Sequence, residues 1–198
     1  MDRLSTVMIA ALVVSAAGCE GDGSRAAASS RSRVDAVQAA APAQVDPEQF
    51  CEAWHEAAAA PALSLPPLAG PPPATSGRSR WINVWATWCK PCIEELPRLA
   101  KWRDELGRKA EFELVFLSAD GDPAAVQEFA KAHPEVVGSL ELQSADALQP
   151  WAAAIGVPGQ AVLPIHVFVD GKDRVRCVRT AGIGEDDRAA VEQLLLSL

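Results

Sequence analysis

The stretch "WINVWATWCKPCIEELPRLAKWRDELG", Trp81 to Gly107, constrains this chain most. An apolar, β-forming run ends directly at Cys89, and from Pro91 to Leu106 the residues Ile93, Leu96, Leu99 and Leu106 fall on roughly one helical stripe, with Gly107 as the stop. A buried strand therefore passes straight into a helix, and a Cys-x-x-Cys pair occupies the junction. Pro97 inside the helix predicts a kink. The junction puts Cys89 at the helix N-terminus, exposed, where unpaired N–H groups and the macrodipole favour a thiolate. Lys90 adds a positive charge beside it and Pro91 pre-sets the first turn. Cys92, about one turn in and less exposed, is placed to attack a mixed disulfide formed by Cys89.

Two other uses of the pair compete with electron transfer. A metal site needs two more ligands; Cys51 and His55, four apart on a predicted helix, would complete a Cys3His set. A purely structural Cys89–Cys92 bridge closes too small a loop to restrict the unfolded chain much. Redox exchange is the better reading, with no metal and no cofactor beyond the redox-active disulfide itself.

The 198 residues suffice for one domain with a real core plus appendages. The formal charge is −8 and the 18 Lys and Arg are scattered, so no basic face is offered to phosphate backbones and no nucleic-acid partner is expected. Residues 1–18 read as an export signal: Arg3, an apolar run from Leu4 to Ala17, then "AAGC". Either an ordinary cleaved signal or a lipoprotein signal fits; in the second, the favoured one, Cys19 is acylated and anchors the chain, although Ala16 stands where Leu is usual. The expected place is then the periplasmic side of a bacterial membrane. Export permits disulfides, and besides Cys19 an even set remains: Cys51, Cys89, Cys92 and Cys177.

Residues 19–45, small and polar, read as a flexible tether. Residues 46–80 read as a short helix capped by Asp46, with Phe50 and Trp54 on one face and an end before Pro61, followed by a Pro-rich surface connection. Residues 81–198 form the main domain. After the first strand and helix come a strand in "EFELVFLSAD", a helix from Pro123 to His133, a short strand or loop at "SLELQ", a brief helix closed by Gly156, a hairpin of "IHVFVD" and "RVRCVR", and a last helix over 186–198. This order argues for an α/β fold, a mixed central β-sheet flanked by helices on both faces, with an N-terminal helical extension.

"NVWATWCKPCIEELP" resembles the active-site segment of TlpA/ResA-type thiol:disulfide oxidoreductases, extracytoplasmic members of the thioredoxin superfamily, through Asn83, Trp85, Ala86, Trp88, Cys89, Pro91, Cys92, Glu95 and Pro97. "VFLSAD", "IGVPG" and "LPIHVFVDGKDRV" follow in family order, so the resemblance runs from about Trp81 to the C-terminus. It implies a thioredoxin-like fold, with Cys89 attacking, Cys92 resolving and Glu95 tuning the thiols and shuttling a proton. Asn83 stands where thioredoxin has a buried acid, which throws more proton work onto Glu95. Glu94 is read as a solvated carboxylate.

Trp85 and Trp88 are implied to shape and shield the site. Trp88, Lys90, Pro91, Leu163 and Pro164 would line the substrate, with Pro164 the cis proline before the strand facing the cysteines and Leu163 offering its backbone. Pro158 is the alternative for that proline. Several residues are added here relative to the family, and Ile165-His166 replaces a polar pair; His166 is read as a structural histidine with a possible effect on the thiols. Cys51 and Cys177 are expected to form a structural disulfide between the N-terminal helix and the hairpin. The implied activity is reduction of disulfides in exported proteins by a monomer fed from a membrane electron donor, as in cytochrome c maturation. A non-catalytic binding lipoprotein of the same fold is the rival reading. A thiol peroxidase lacks its Pro-x-x-x-Thr-x-x-Cys arrangement, since Asn83, followed by Val84, stands four residues before Thr87 where the proline would be needed, and Cys89 follows Thr87 by two residues rather than three.

Overall fold

The structure is a computed structural model describing residues 46–74 and 76–198; the signal segment 1–18, Cys19 and the tether to residue 45 lie outside the described residues. Asp46 caps a first helix, α1 (Pro47–Phe50), by accepting from the Glu48 amide at 3.0 Å. It is four residues long, not the helix to Pro61 expected from the sequence. The chain leaves it at Cys51 in extended conformation and forms β1 (Ala53–Trp54), an edge strand antiparallel to the hairpin. Tertiary pairing here overrides local helix propensity.

The main strands are β2 (Ser79–Trp85), β3 (Phe112–Ser118), β4 (Leu140–Glu141), β5 (Ile165–Val169) and β6 (Val175–Arg179), in the order β1-β6-β5-β2-β3-β4. β2, β3 and β4 are parallel, whereas β5, β6 and β1 run antiparallel to their neighbours. Between them lie α2 (Lys90–Leu106), α3 (Pro123–Ala130) and α4 (Leu148–Ala154), and α5 (Arg188–Ser197) follows β6. Asp122 caps α3, which ends at Ala130, three residues short of His133. The final helix opens with a 3-10 turn at Glu185–Asp187. α2 runs over 17 residues with Pro97 inside it.

The pleat sends alternate side chains to two cores. Trp81 and Trp85 of β2, Phe116 of β3 and Phe168 of β5 share one core with Leu96, Leu99, Trp102 and Leu106 of α2, and with Val191, Leu194 and Leu195 of α5. Ile82, Val84, Leu117, Ile165, Val167 and Val178 share the other with Trp151 and Ala152 of α4. Helices thus pack on both faces of a mixed sheet, the arrangement anticipated from the order of elements.

The Pro-rich connection is not merely a surface loop. It crosses the sheet as a strap: Ala62 bridges to Arg174 at the β6 end, Leu68 bridges to Leu142 beside β4, and Leu63, Leu65 and Leu68 pack on the second core. The Ser64 carbonyl accepts from the Trp151 indole at 2.7 Å. The Ala69 amide donates to the Glu141 carbonyl, and the Gln143 amide to the Pro67 carbonyl, both at 2.9 Å, so the strap also occupies the β4 edge. α1, β1 and residues 62–69 of the connection therefore pack on the sheet and its cores.

Cys51 and Cys177 are joined by a disulfide across a sequence separation of 126. Both are buried in the first core, beside Phe50 and Phe168. Closing so long a loop contributes about 5 kcal/mol in the chain-entropy treatment, an upper figure for real proteins. The double substitution Cys51→Ala, Cys177→Ala should lower the unfolding free energy by several kcal/mol, up to about 5, read from urea curves with midpoint and slope fitted together, because the chain without the cross-link is less compact when unfolded. A midpoint equal to the parent's would show that β1 holds without its staple.

Candidate active site

The register of the sheet gathers the site at one end. Val84 pairs with Ile165, Trp85 with Ser118 and His166 with Arg179, so the segments after β2, β3 and β6 and the segment before β5 all emerge there. This is the carboxyl end of the parallel strands, where open α/β sheets place their ligands.

Cys89 and Cys92 form a disulfide at this end, with Cα atoms 5.3 Å apart. Cys89 is the N-cap of α2, and its Sγ accepts from the Cys92 amide at 3.4 Å. On reduction, the same N–H and the helix N-terminus face that sulfur and favour its thiolate. Cys92 is fully buried, whereas Cys89 keeps 5% of its surface, so the first cysteine is better shielded than a position at a helix N-terminus implies. Lys90 extends into solvent, with Nζ 3.8 Å from Glu94 Oε1, and that ion pair screens the charge it was expected to lend. Pro91 is exposed beside it.

The two tryptophans part company. Trp85 is buried in the core against Phe129, ring centroids 5.2 Å apart, and does not line the opening. Trp88 is 69% exposed next to Cys89, an apolar surface that the fold itself leaves uncovered. The Leu163-Pro164 peptide bond is cis; Pro164 is buried and Leu163 half-buried immediately before β5.

Glu95 was expected on the side of α2 that carries Cys92, and it lies deep in the fold, 1% exposed. The buried stripe of α2 runs through Cys92, Glu95, Leu96, Leu99, Trp102 and Leu106, with Ile93 only half-buried. Glu95 Oε1 accepts from Asn83 Nδ2 at 2.9 Å and Oε2 accepts from the Ile183 amide at 2.8 Å. These N–H groups compensate the burial of the carboxylate. Asn83 and His166 are cross-strand partners of β2 and β5, both fully buried and both on the face that receives α2. His166 Nε2 stands 3.2 Å from Glu95 Oε1, and its Nδ1 accepts from Trp81 Nε1 at 3.2 Å. A Cβ placed on Gly182 would lie 3.5 Å from Glu95 Oε2 and 3.9 Å from Pro164 Cγ, so the carboxylate and the cis proline flank one point of the backbone.

Sequence reading missed Asp120. Its carboxylate accepts from the Thr87 amide at 3.0 and 3.2 Å, from Thr87 Oγ1 at 2.6 Å and from Ser118 Oγ at 2.8 Å, fixing the turn that delivers Cys89. The available signal was an acid at the carboxyl end of the strand parallel to β2. Gly121 after it has φ +66°, and a Cβ there would come 2.6 Å from the Ala145 amide nitrogen, which only glycine avoids. Cys51 bonds to Cys177 instead of joining His55 around a metal.

The model of the Redoxin family matches residues 72–195. The chain belongs to the Redoxin family. The thioredoxin-like protein YneN of Bacillus subtilis (strain 168) is 35% identical over 83 residues, 40% of this chain and 49% of that protein. The thiol-disulfide oxidoreductase ResA of Bacillus thuringiensis (strain Al Hakam) is 29% identical over 99 residues, 50% of this chain and 53% of that one. The chain thus spans about half the length of the curated relatives it matches. Among solved structures, a secreted thiol-disulfide isomerase from Corynebacterium glutamicum is 17% identical and superposes with TM-score 0.56 over 78% of this chain and 97% of that one. A thioredoxin-family thiol:disulfide interchange protein from Chlorobium tepidum TLS does so at 19% identity and TM-score 0.52, over 69% and 94%. The fold is the thioredoxin fold.

Asp120 and Asp122 also act on a neighbour. Partial burial pushes the Glu141 carboxyl above its ordinary 4.5, and the charges of Asp120 and Asp122 push it the same way. A raised carboxyl destabilises the folded state while ionised, and this penalty disappears as pH falls through its folded-state titration. Glu141→Gln should therefore be more stable than the parent at pH 7.5, by less than about 1 kcal/mol for so exposed a group. Urea midpoints at pH 7.5 and near pH 5 check this, with the gap narrowing at the lower pH; a gap that widens would contradict it.

Proposed function

We propose that this chain is a thiol:disulfide oxidoreductase that reduces disulfides of exported proteins through Cys89 and Cys92. The observation that carries the reading is the Cys-x-x-Cys pair at the N-terminus of α2, with Cys89 Sγ on the Cys92 amide and a buried carboxylate one helical turn beyond. In the reduced protein, Cys89 thiolate attacks a substrate disulfide, forms a mixed disulfide and releases one substrate thiolate. Cys92 then attacks Cys89 Sγ, the Cys89–substrate bond breaks, and the second substrate sulfur leaves with the electron pair. Glu95 takes the Cys92 proton in that step.

Substrate recognition falls to the surface around the pair. Trp88 offers an exposed apolar face, while Leu163 and Pro164 present backbone to an extended segment in the manner of strand addition. Lys90 and Pro91 form the exposed rim. The chain acts as a monomer outside the cytoplasm, anchored through lipid on Cys19 and fed by a membrane electron donor. The leader-like residues 1–18 and the buried Cys51–Cys177 bond support that setting. The resemblance of Asn83–Pro97 to the TlpA/ResA-type active-site segment makes cytochrome c maturation the suggested pathway.

Single-cysteine variants test the assignment against a disulfide-bonded protein substrate. Cys92→Ser should accumulate a mixed disulfide through Cys89, visible as a mass adduct that dithiothreitol removes, while Cys89→Ser should form none and lose turnover at least about 100-fold. Trapping by Cys89→Ser alone would reverse the assigned order, and no trapping by either would favour a non-catalytic binding module.

A further inference from the structure

The polar cluster above Cys92 contains one residue that the exchange reaction does not obviously need. His166 is fully buried on β5, on a face otherwise filled by Trp81, Trp85 and Phe168. An imidazole in such a place must satisfy both ring nitrogens or leave one stranded. Trp81 Nε1 is a donor only, and it donates to His166 Nδ1 at 3.2 Å; Asn83 Nδ2 lies 3.4 Å from the same nitrogen. With N–H donors facing Nδ1 from two side, that nitrogen is the acceptor and the ring proton sits on Nε2. Nε2 faces Glu95 Oε1 at 3.2 Å, off the line of an ideal hydrogen bond, and has no other partner.

The surroundings leave Glu95 as the group to which this proton is directed. From α2 comes the Glu95 carboxylate, and from β2 come the neutral Trp81 and Asn83. From β6 comes Arg179, the cross-strand partner of His166, whose guanidinium donates to the Phe50 carbonyl at 2.8 Å and lies 3.7 Å from Asp187 Oδ1. The segment after β6 contributes the Ile183 amide, already bound to Glu95 Oε2. Cys92 lies three residues before Glu95 on the same buried stripe of α2.

We propose that His166 is a positioning residue for Glu95: Trp81 fixes the tautomer of its ring, and the resulting Nε2–H holds in place the carboxylate that receives the Cys92 proton. This rests on the reading of Cys89 as attacking and Cys92 as resolving. In the step concerned, the Cys92 S–H bond breaks and its proton passes to Glu95, a Cys89–Cys92 bond forms, the bond from Cys89 to the substrate sulfur breaks, and that sulfur departs as a thiolate. As the carboxylate becomes carboxylic acid, Oε1 loses charge and the His166 contact weakens. The histidine thereby couples the ease of the second step to the state of Glu95, without touching the sulfur atoms.

The full chain carrying Cys19→Ser, reduced with Cys51–Cys177 left closed, is mixed with 5,5′-dithiobis(2-nitrobenzoate) between pH 5 and 9. The first nitrothiobenzoate released reports Cys89 attack, and the second reports closure by Cys92. His166→Leu should leave the first release within about twofold and slow the second about tenfold, because the carboxylate is no longer held in place to receive the Cys92 proton and this loss outweighs the greater basicity of a carboxylate with one donor fewer, with a displaced pH profile. His166→Gln, whose amide offers an N–H to Glu95 and an oxygen to Trp81, should restore the second release. The proposal is overturned if His166→Leu closes as fast as the parent, if both releases slow together, or if the Gln variant is as slow as the Leu variant. A parent that gives no first release would instead refute the reading of Cys89, whatever the histidine does.

Discussion

A carboxylate sunk in an apolar core is stable only where N–H groups meet its oxygens, and in this fold Glu95 is held by three elements at once. Asn83 reaches it from β2, the Ile183 amide from the segment after β6, and His166 stands beside it from β5. These contacts require the β2–β5 register that sets Asn83 opposite His166, and they require the face of α2 that carries Cys92 to point inward. A slip of one residue in β5 would replace His166 by an apolar neighbour and leave the carboxylate short of a partner. The polar cluster therefore fixes how α2 sits on the sheet, and through α2 where the two cysteines sit.

The N-terminal segment serves that same arrangement from a distance. α1 and β1 lie against the hairpin, tied to β6 by Cys51–Cys177, and Arg179 of β6 bonds back to the Phe50 carbonyl. The strap then crosses to the β4 edge and covers the second core. One consequence is that the parallel edge at β4, which is only two residues long, is not left open. The other is that β6 is not an edge strand, so β5, which carries His166 and follows Pro164, lies two strands in from the edge, with β6 and β2 as its neighbours.

The strand, Cys-x-x-Cys and helix were legible because each element has a strong local signal: an apolar run, a spacing, and a stripe of period near 3.6. The hairpin was legible from two β runs around Gly171. α1 was overread, since Asp46 and Pro47 announce a helix start but nothing local announces that residues 53 and 54 pair with a strand more than 120 residues away. The Pro-rich strap was read by composition alone, and its leucines were not recognised as core contacts. Glu95 could be placed on the helix face of Cys92, but its depth could not, because burial of a charge depends on donors brought from other strands. His166 and Asp120 were hidden for the same reason. Alternation within "IHVFVD" sets His166 and Phe168 on one face, yet only the pairing register shows that this face meets Asn83 and Glu95.

The central claim, that Cys89 and Cys92 are a reversible redox couple while Cys51 and Cys177 are a staple, is tested most directly by equilibrating the chain in graded thiol buffers and trapping free thiols at each potential. The account predicts one two-electron transition confined to Cys89 and Cys92, with a slope of about 30 mV per decade and a midpoint on the reducing side, near the roughly −270 mV of thioredoxin. Cys51 and Cys177 should stay unlabelled throughout it. Opening of both bonds together, or no reversible opening of Cys89–Cys92 within the buffer range, would contradict the account.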